Sequence, residues 1–528
     1  MDKAIFHTSF QPKDWLDGVD KVTRAVTTTL GPFGRYVGIQ RPLDTPHFSK
    51  DGAHVAREFW LNDPIENFGA RLVADAALKT AVSAGDGTTS TVAVLSAMLK
   101  GFREASSIFS SVDPSLLYHS TAGKLEEVKG NLVEKSHVLD DDSLLESVVR
   151  ISLNRDEKLT KAVMEALTQT SSMVVIEDGF GAETEVRQVL GYKFDSSLSS
   201  PVFTNRDLQR ATLKNAFVIA FRGVLTNLKP LVDIFEHIAT SNRPVLIVGR
   251  VQGAALNFLI ANHVQGNITV ANVFPVSTSW KREALFSDLA AVTGCRVALT
   301  EEDPSDMKIS WMGEVESAIV QGNSVTVVPK TIHEDRIEAR LEVYKTLIKN
   351  ADSTFDEDFI KRAVSYLDGG VVMLRVGGQT DVQQRDAKML CEDAISAAQE
   401  ASRTGVLPGA GVALLRESWS IEEEKPDTIL AQAVNSVVIK ALKAPFYTLV
   451  RNAGQSPEVW EDRIRNSGDD WDTLVFSDVT PTVGNAIKFG VLDPVGVLIA
   501  EITNAYSVGK MSLMGCCVVN EIQTNYQG

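Results

Sequence analysis

A chain of 528 residues is too long for one compact core, so two to four domains are expected. Its 44% hydrophobic and 23% charged residues read as an ordinary soluble globular protein, and the net charge of −16, with no Lys/Arg cluster, excludes a nucleic-acid partner. No apolar run approaches the ~18 residues of a membrane span, the start Met1-Asp2-Lys3-Ala4-Ile5-Phe6 carries no basic-then-apolar signal, and the scattered Cys295, Cys391, Cys516 and Cys517 lack metal-ligand spacing. A reducing cytoplasm is the expected compartment.

Taken in order, residues 13–30 place Trp15, Val19, Val22 and Val26 at helical spacing and stop at Leu30-Gly31-Pro32-Phe33-Gly34-Arg35, a Gly/Pro loop preceded by Thr27, Thr28 and Thr29. Tyr36 to Ile39 reads as a short strand. Lys50-Asp51-Gly52 is a turn opening a helix over Val55 to Trp60. Helices are expected over 62–82, 91–104, 115–135 and 157–169.

The character then changes. Met173 to Ile176 is strand-like and is followed by a turn, Glu177-Asp178-Gly179-Phe180-Gly181. From about 190 to 370 strands and helices alternate, as in Ala216–Ala220 and Pro244–Val248 against Leu231–Ala239 and Ala254–Val264, which predicts a compact α/β domain. Charged amphipathic helices follow over Glu334–Ile348 and 356–366, then a strand from Val371 to Val376. Beyond it the chain is helical again, over 381–404 and 427–453. The order helical, α/β, helical predicts an α/β domain inserted into a helical one, entered near Gly191 and left near Gly369-Gly370, where glycines suit hinges or plain turns.

The stretch with the most chemistry is Ala84-Gly85-Asp86-Gly87-Thr88-Thr89-Ser90. Its glycines permit a tight turn and close approach of a ligand, its hydroxyls open a helix whose start favours anions, and a carboxylate beside a phosphate cradle suits Mg²⁺. A capped turn without a ligand is the alternative. Two further acids stand out. Asp393 lies in an Ala-rich helix, where it either positions a water or simply faces solvent. Asp493 in Gly490-Val491-Leu492-Asp493-Pro494 is a ligand or an Asx turn. The helix from Ala254 to Val264 has Leu256, Phe258, Leu259, Ile260, Ala261 and Val264 around most of its circumference, so it is fully buried or exposes an apolar patch for another chain.

In this order, these pieces resemble a divergent group I chaperonin, the bacterial and organellar heat-shock family, nearly end to end. The resemblance is carried by Thr29-Leu30-Gly31-Pro32 with Gly34-Arg35, Lys50-Asp51-Gly52, Glu66-Asn67-Phe68-Gly69-Ala70, Gly85-Asp86-Gly87-Thr88-Thr89, Ser200-Pro201-Val202-Phe203, Asp368-Gly369-Gly370-Val371, Glu392-Asp393-Ala394 and Leu492-Asp493-Pro494. It implies a multidomain α+β and α/β chaperonin fold. A helical equatorial ATPase domain would span 1–134 and 405–528, an intermediate hinge domain 135–190 and 370–404, and an inserted α/β apical domain 191–369.

The resemblance further implies ATP, Mg²⁺ and K⁺ as cofactors. Asp86 would hold Mg²⁺, while Thr29 and Lys50 would place the monovalent cation. Thr29, Leu30, Gly31 and Pro32, with Gly85, Gly87, Thr88, Thr89 and Ser90, would form the phosphate cradle. Asp51 and Asp393 would orient the attacking water. Gly409, Ala410 and Asp493 would contact the adenosine, and Ser477, Asp478 and Val479 the base. Leu198, Val202, Phe203, Val232, Phe235, Leu256, Ile260 and Ala261 would bind non-native polypeptides. The expected assembly is a heptameric ring, with a lid co-chaperonin as a further partner.

Departures from the family pattern fall at Ser402-Arg403-Thr404-Gly405, at Val138 in place of a hinge proline, at Leu198 and Val202 in place of aromatics, and near Val276-Ser277-Thr278-Ser279-Trp280, where a Gly-Phe-Gly turn is absent. Leu117, Tyr447 and Ser456 occupy positions that join two stacked rings by charge, so a single ring is an alternative. Such divergence suits a virus-encoded or specialised member. Two other functions compete with the folding chamber: a holdase without productive cycling, and a Mg²⁺-dependent phosphatase using Asp86, which needs a buried strand before it where Leu72–Val82 reads as helix.

Overall fold

The computed structural model describes residues 3–7, 13–40, 47–139, 142–169, 174–179, 181–204, 210–228, 231–277, 279–298, 307–321, 323–349, 354–369, 371–467, 475–477, 482–514 and 517–521. The chain divides into two compact units. The first comprises Met1–Met164, Ile176–Glu185 and Arg375–Gly528, and the second Glu165–Val175 and Val186–Leu374. The stretches expected as an intermediate domain, 135–190 and 370–404, are shared between them and fall mostly in the first.

The first unit opens with β1 (Lys3–His7), α1 (Lys13–Thr27), β2 (Val37–Ile39), β3 (His47–Ser49), α2 (Gly52–Glu58), α3 (Pro64–Ser83), α4 (Thr88–Ile108), α5 (Pro114–Glu134), α6 (Asp142–Ser152) and α7 (Glu157–Gln169). Helix α6 escapes the sequence reading, because only Val148 and Val149 of its apolar residues are buried and its periodic stripe is short. Helix starts follow local chemistry. Asp63 accepts hydrogen bonds from the N–H groups of Ile65 and Glu66, both at 2.9 Å, with Pro64 opening α3. Asp113 and Pro114 repeat the pattern at α5. Glycines set the crossing of α1 and α3: a Cβ on Gly18 would lie 1.8 Å from the Glu66 carbonyl oxygen, and one on Gly69 would lie 1.9 Å from that of Trp15.

The second unit and the return continue through β4 (Val174–Asp178), β5 (Glu185–Val189), β6 (Tyr192–Leu198), β7 (Arg210–Leu225), α8 (Val232–Ser241), β8 (Val245–Val251), α9 (Gly253–Val264), β9 (Val270–Pro275), α10 (Ser279–Thr293), β10 (Gly313–Gln321), β11 (Ser324–Pro329), α11 (Glu334–Lys349), α12 (Thr354–Gly369) and β12 (Val371–Val376). Strands β10-β11-β6-β9-β8-β7 close into a barrel. In it β7, β8 and β9 run parallel, as continuous apolar runs do when covered on both faces, and the other pairs are antiparallel. The expected α/β alternation is present, but the closed barrel is not visible in it. Gly191 has no left-handed backbone; its smallness is used against Val371, whose Cγ2 would lie 2.2 Å from an added Cβ. Gly370 lies outside the described residues.

The chain then completes the first unit with α13 (Asp381–Thr404), β13 (Val406–Pro408), α14 (Val412–Glu422), α15 (Ile429–Asn452), α16 (Pro457–Arg465), β14 (Val475–Ser477), β15 (Thr482–Gly484), α17 (Ala486–Phe489), β16 (Leu492–Pro494), α18 (Val495–Met514) and β17 (Cys517–Glu521). Strand β17 pairs antiparallel with β1, joining the two described ends. Helix α4 is the hub: Val92, Val94, Leu95, Met98, Leu99 and Phe102 are fully buried against α1, α3, α15 and α18. Helix α15 is long and apolar enough to cross a membrane by length and composition, against the reading that no run approaches this, and half of its most apolar window is buried inside the protein. It packs on α4, α5 and α14 and carries Lys440, Lys443 and Arg451.

Candidate nucleotide site

The site is built on a helix start left open. Gly87 caps α4 in the left-handed region at φ 79°, without a side-chain hydrogen bond to the first turn, so the N–H groups of that turn face outward as an anion site. Gly85 also has positive φ, at 71°. Asp86 between them accepts from the Gly87 N–H at 2.6 Å and from the Ser152 hydroxyl at 3.3 Å. The residue preceding this loop closes α3, which removes the strand that a phosphatase reading requires.

Three other segments converge here. Thr29, buried, sends its hydroxyl to the Val26 carbonyl at 2.8 Å and lies 3.4 Å from the Thr89 hydroxyl. Gly52 lets the start of α2 meet the start of α4, because an added Cβ would lie 2.1 Å from Thr89 Oγ1. Asp51 caps α2, its two oxygens accepting from Ala53 N–H at 3.2 Å and His54 N–H at 2.8 Å. Lys50 donates to Asn154 Oδ1 at 3.4 Å, and burial lowers its pKa. From the far end of the sequence, α13 lays Ser396 against Gly85, 2.2 Å from an added Cβ, which brings Asp393, one turn earlier, into the same cavity as Asp86 and Asp51.

Gly409-Ala410-Gly411 forms the opposite wall. Gly409 leaves room for Asp493, whose Oδ1 would lie 2.8 Å from an added Cβ, and Ala410 and Gly411 are left-handed at φ 57° and 72°. Thr29, Leu30, Gly31, Pro32, Lys50, Asp51, Asp86, Gly87, Thr88, Thr89, Ser90, Asp393, Ala410 and Asp493 therefore line one cavity. Gly85 and Gly409 stand behind its wall. Asp478 and Val479 lie outside the described residues, and Ser477 ends β14.

The electrostatics are those of crowded acids. Burial holds Asp393 well above the ordinary carboxylate range, with Asp86, Asp51 and Glu392 adding to it. Burial also raises Asp86, against its two hydrogen bonds and with the Asp51 charge contributing. Asp493 is pushed to about 7 by burial and then by Asp86. Such a cluster asks for cations. Among the described residues no three acids, histidines or cysteines form a closed metal cage. One carboxylate flanked by hydroxyls and an anion cradle is instead the donor set Mg²⁺ accepts when phosphate oxygens complete its shell.

Comparison with known proteins bears on this geometry. The TCP-1/cpn60 chaperonin family matches over residues 22–522. The chain belongs to that family. Two crystal forms of the chaperonin gp146 from bacteriophage EL 2 (Pseudomonas aeruginosa), both obtained in the presence of ATP-BeFx, share the fold of this chaperonin over 98% of this chain and 99% of that one. Their TM-scores are 0.64 at 18% identity and 0.60 at 19%.

In this chaperonin's second unit the eight expected polypeptide-binding residues separate by exposure. Val232 and Ala261 are exposed, Leu198, Val202, Leu256 and Ile260 are half-buried, and Phe203 and Phe235 are buried. Helix α9 settles its two readings: Ala255 and Leu259 face the core, while Phe258 and Val264 are 46% and 68% exposed. Phe258 packs edge-on to Phe235 at 6.1 Å between ring centres, joining the outer residue to the core.

Several site residues escape sequence reading. Ser152 and Asn154 sit in a turn with no motif. Asn452 donates to the carbonyls of Thr27 and Leu30 at 2.8 and 3.0 Å and fixes the first loop. Glu501 is buried, with Oε2 unpartnered and Oε1 2.6 Å from a Cβ placed on Gly87. Burial, then Asp493 and Asp86, raise its pKa well above the usual value. The one signal for Glu501 was a single charge within the apolar run Val495–Ile502.

Proposed function

We propose that this chaperonin is an ATP-driven ring that captures non-native polypeptides on its apolar apical surface and uses ATP binding and hydrolysis to encapsulate or release them. The observation that carries the reading is the meeting of Asp86, Asp51 and Asp393 at the open start of α4, inside one cavity. The ATP-BeFx present with gp146 supports a nucleotide in the corresponding fold. In this reading residues 1–134 and 405–528 are the equatorial domain, 135–190 and 370–404 the intermediate domain, and 191–369 the apical domain.

The first-turn N–H groups of α4 and the loop from Thr29 to Pro32 bind the β- and γ-phosphates. Asp86 would hold Mg²⁺, and Thr29 with Lys50 would hold K⁺; when bound, these cations offset charge on the phosphate oxygens. Asp393 and Asp51 align a water on the γ-phosphorus. The water oxygen–phosphorus bond forms as the bond to the β-bridging oxygen breaks. The electron pair leaves on ADP, and the water proton passes to a phosphate oxygen while Asp393 and Asp51 hold the water in line. Hydrolysis here is positioning plus charge stabilisation. Ala410 and Asp493 take the adenosine, with Gly409 behind them leaving room for the Asp493 carboxyl.

The test is phosphate release by the purified protein with Mg²⁺ and K⁺. Asp393→Ala should abolish turnover while ATP still binds. A wild-type protein that is monomeric and insensitive to adenine nucleotides defeats the proposal, and one that binds polypeptide without turnover supports the holdase reading.

A specific observation favours a single ring. Leu117 is in the core, Tyr447 gives its hydroxyl to Glu461 at 2.5 Å, and Ser456 gives its own to Glu458 at 2.8 Å, so none of the three presents a charge to a second ring. A single heptamer of 57.4-kDa chains weighs about 400 kDa and a stacked pair about 800 kDa. Light scattering with and without ATP separates them.

A further inference from the structure

We propose that Arg155 is a catalytic arginine of this site, acting within its own chain to stabilise the charge that builds on the γ-phosphoryl oxygens as the bond to the β-bridging oxygen breaks; the inference rests on the ATPase reading above. It begins with a turn that no sequence motif marks. Between α6 and α7 the backbone holds Asn154 and Arg155 in succession in the left-handed region, at φ 51° and 65°. Asparagine accepts that conformation readily. Arginine does so at a cost, and such residues persist where the surroundings impose them, often at functional sites.

The surroundings are on both sides. The Arg155 N–H closes α6 on the Arg150 carbonyl at 2.8 Å, and Asp156 caps α7 through the N–H groups of Lys158 and Leu159 at 2.9 and 3.0 Å. The same turn is tied to the candidate site twice, by Ser152 to Asp86 at 3.3 Å and by Lys50 to Asn154 at 3.4 Å. Arg155 lines the cavity that holds both Asp86 and Asp393.

Charge gives this placement a purpose. The cavity is lined by six acids, Asp51, Asp86, Asp386, Asp393, Asp493 and Glu501, and by two bases, Lys50 and Arg155. A triphosphate entering that field needs fixed positive charge beyond its own metal ion. A guanidinium keeps its proton at any working pH and presents a planar fork that matches two phosphoryl oxygens. An arginine in this position does most when charge moves to the oxygens, so its effect belongs to the transition state more than to bound ATP.

The test uses the full-length assembled protein with Arg155→Gly and Arg155→Lys. Glycine accepts the left-handed turn and removes only the side chain. Turnover at saturating ATP, ATP affinity and the preference for ADP–aluminium fluoride over ADP are measured together. We expect turnover to fall roughly 10³-fold in both variants, ATP affinity to change only a few-fold, and the preference for the fluoride complex to collapse. Turnover within about tenfold of wild type in Arg155→Gly overturns the inference, as does a loss accounted for by weaker ATP binding. If the wild type hydrolyses no ATP, the ATPase reading falls and this inference falls with it. If the wild type is active and Arg155→Gly is unimpaired, this inference falls alone.

Discussion

At the scale of single residues the candidate site is governed by what a side chain would strike or what a proton would do. Gly87 is left-handed, and its missing Cβ leaves 2.6 Å to both Glu501 Oε1 and Val497 Cγ1. Gly87→Ala should therefore displace the start of α4 and weaken ATP binding at least tenfold, about 1.4 kcal/mol, in calorimetric titration. Asp493 makes a pH prediction. Its carboxyl sits at about 7 in the folded protein, against about 4 in an unfolded chain. The native state thus holds a proton, between those values, that the unfolded state has released. Stability from this group falls as pH rises from about 4 to 7. Asp493→Asn should flatten that slope in urea midpoints measured without nucleotide; parallel wild-type and variant profiles would refute the assignment. Sequence pointed to Asp86, Asp393 and Asp493 because each sits in a recognisable string. It missed Ser152, Asn154 and Glu501 because their role comes from neighbours distant in the chain.

Elements show where local preference and fold disagree. Ala410 adopts φ 57° between Gly409 and Gly411 at the start of α14, a conformation that costs an L-residue roughly 1–2 kcal/mol. Ala410→Gly should relieve that cost, offset in part by the greater freedom of glycine when unfolded, and raise the thermal midpoint measured without nucleotide. In the second unit, α10 and α11 are joined through Asp288. Its fully buried carboxylate accepts from Tyr192 at 3.0 Å, Tyr344 at 2.5 Å and Arg340 Nε at 2.7 Å. Removing one member of a buried ion pair typically costs about 3–5 kcal/mol, so Asp288→Ala should lower the unfolding free energy read from urea titration by that scale, while Lys345→Ala on an exposed face of α11 should change it little. Helix positions were largely legible because apolar spacing is local. Helix α6 was not, since its stripe is too short to stand out.

For the whole molecule, the proposed function rests on two surfaces: an acidic cavity in the first unit and an apolar patch in the second. Phe258→Ser together with Val264→Ser should reduce capture of a denatured test protein, read as lost suppression of its aggregation, while ATP turnover stays near wild type. A parallel loss of turnover would instead mean that the fold was damaged. Cys295 and Cys391 are free and buried, and burial pushes their thiols up to about 11 and 12. What the sequence alone determined was the order helical, α/β, helical, the helix faces, and the loop from Gly85 to Ser90, because each depends on the spacing of nearby residues. Tertiary structure decided the closure of the six-stranded barrel, the exposure of Phe258 beside buried Phe235, and the meeting of Asp86 with Asp393, Glu501 and the turn at Arg155. Those outcomes depend on which distant segments pack together, and that choice is made by the burial of whole faces and the space left by glycines, neither of which is written in any short stretch of chain.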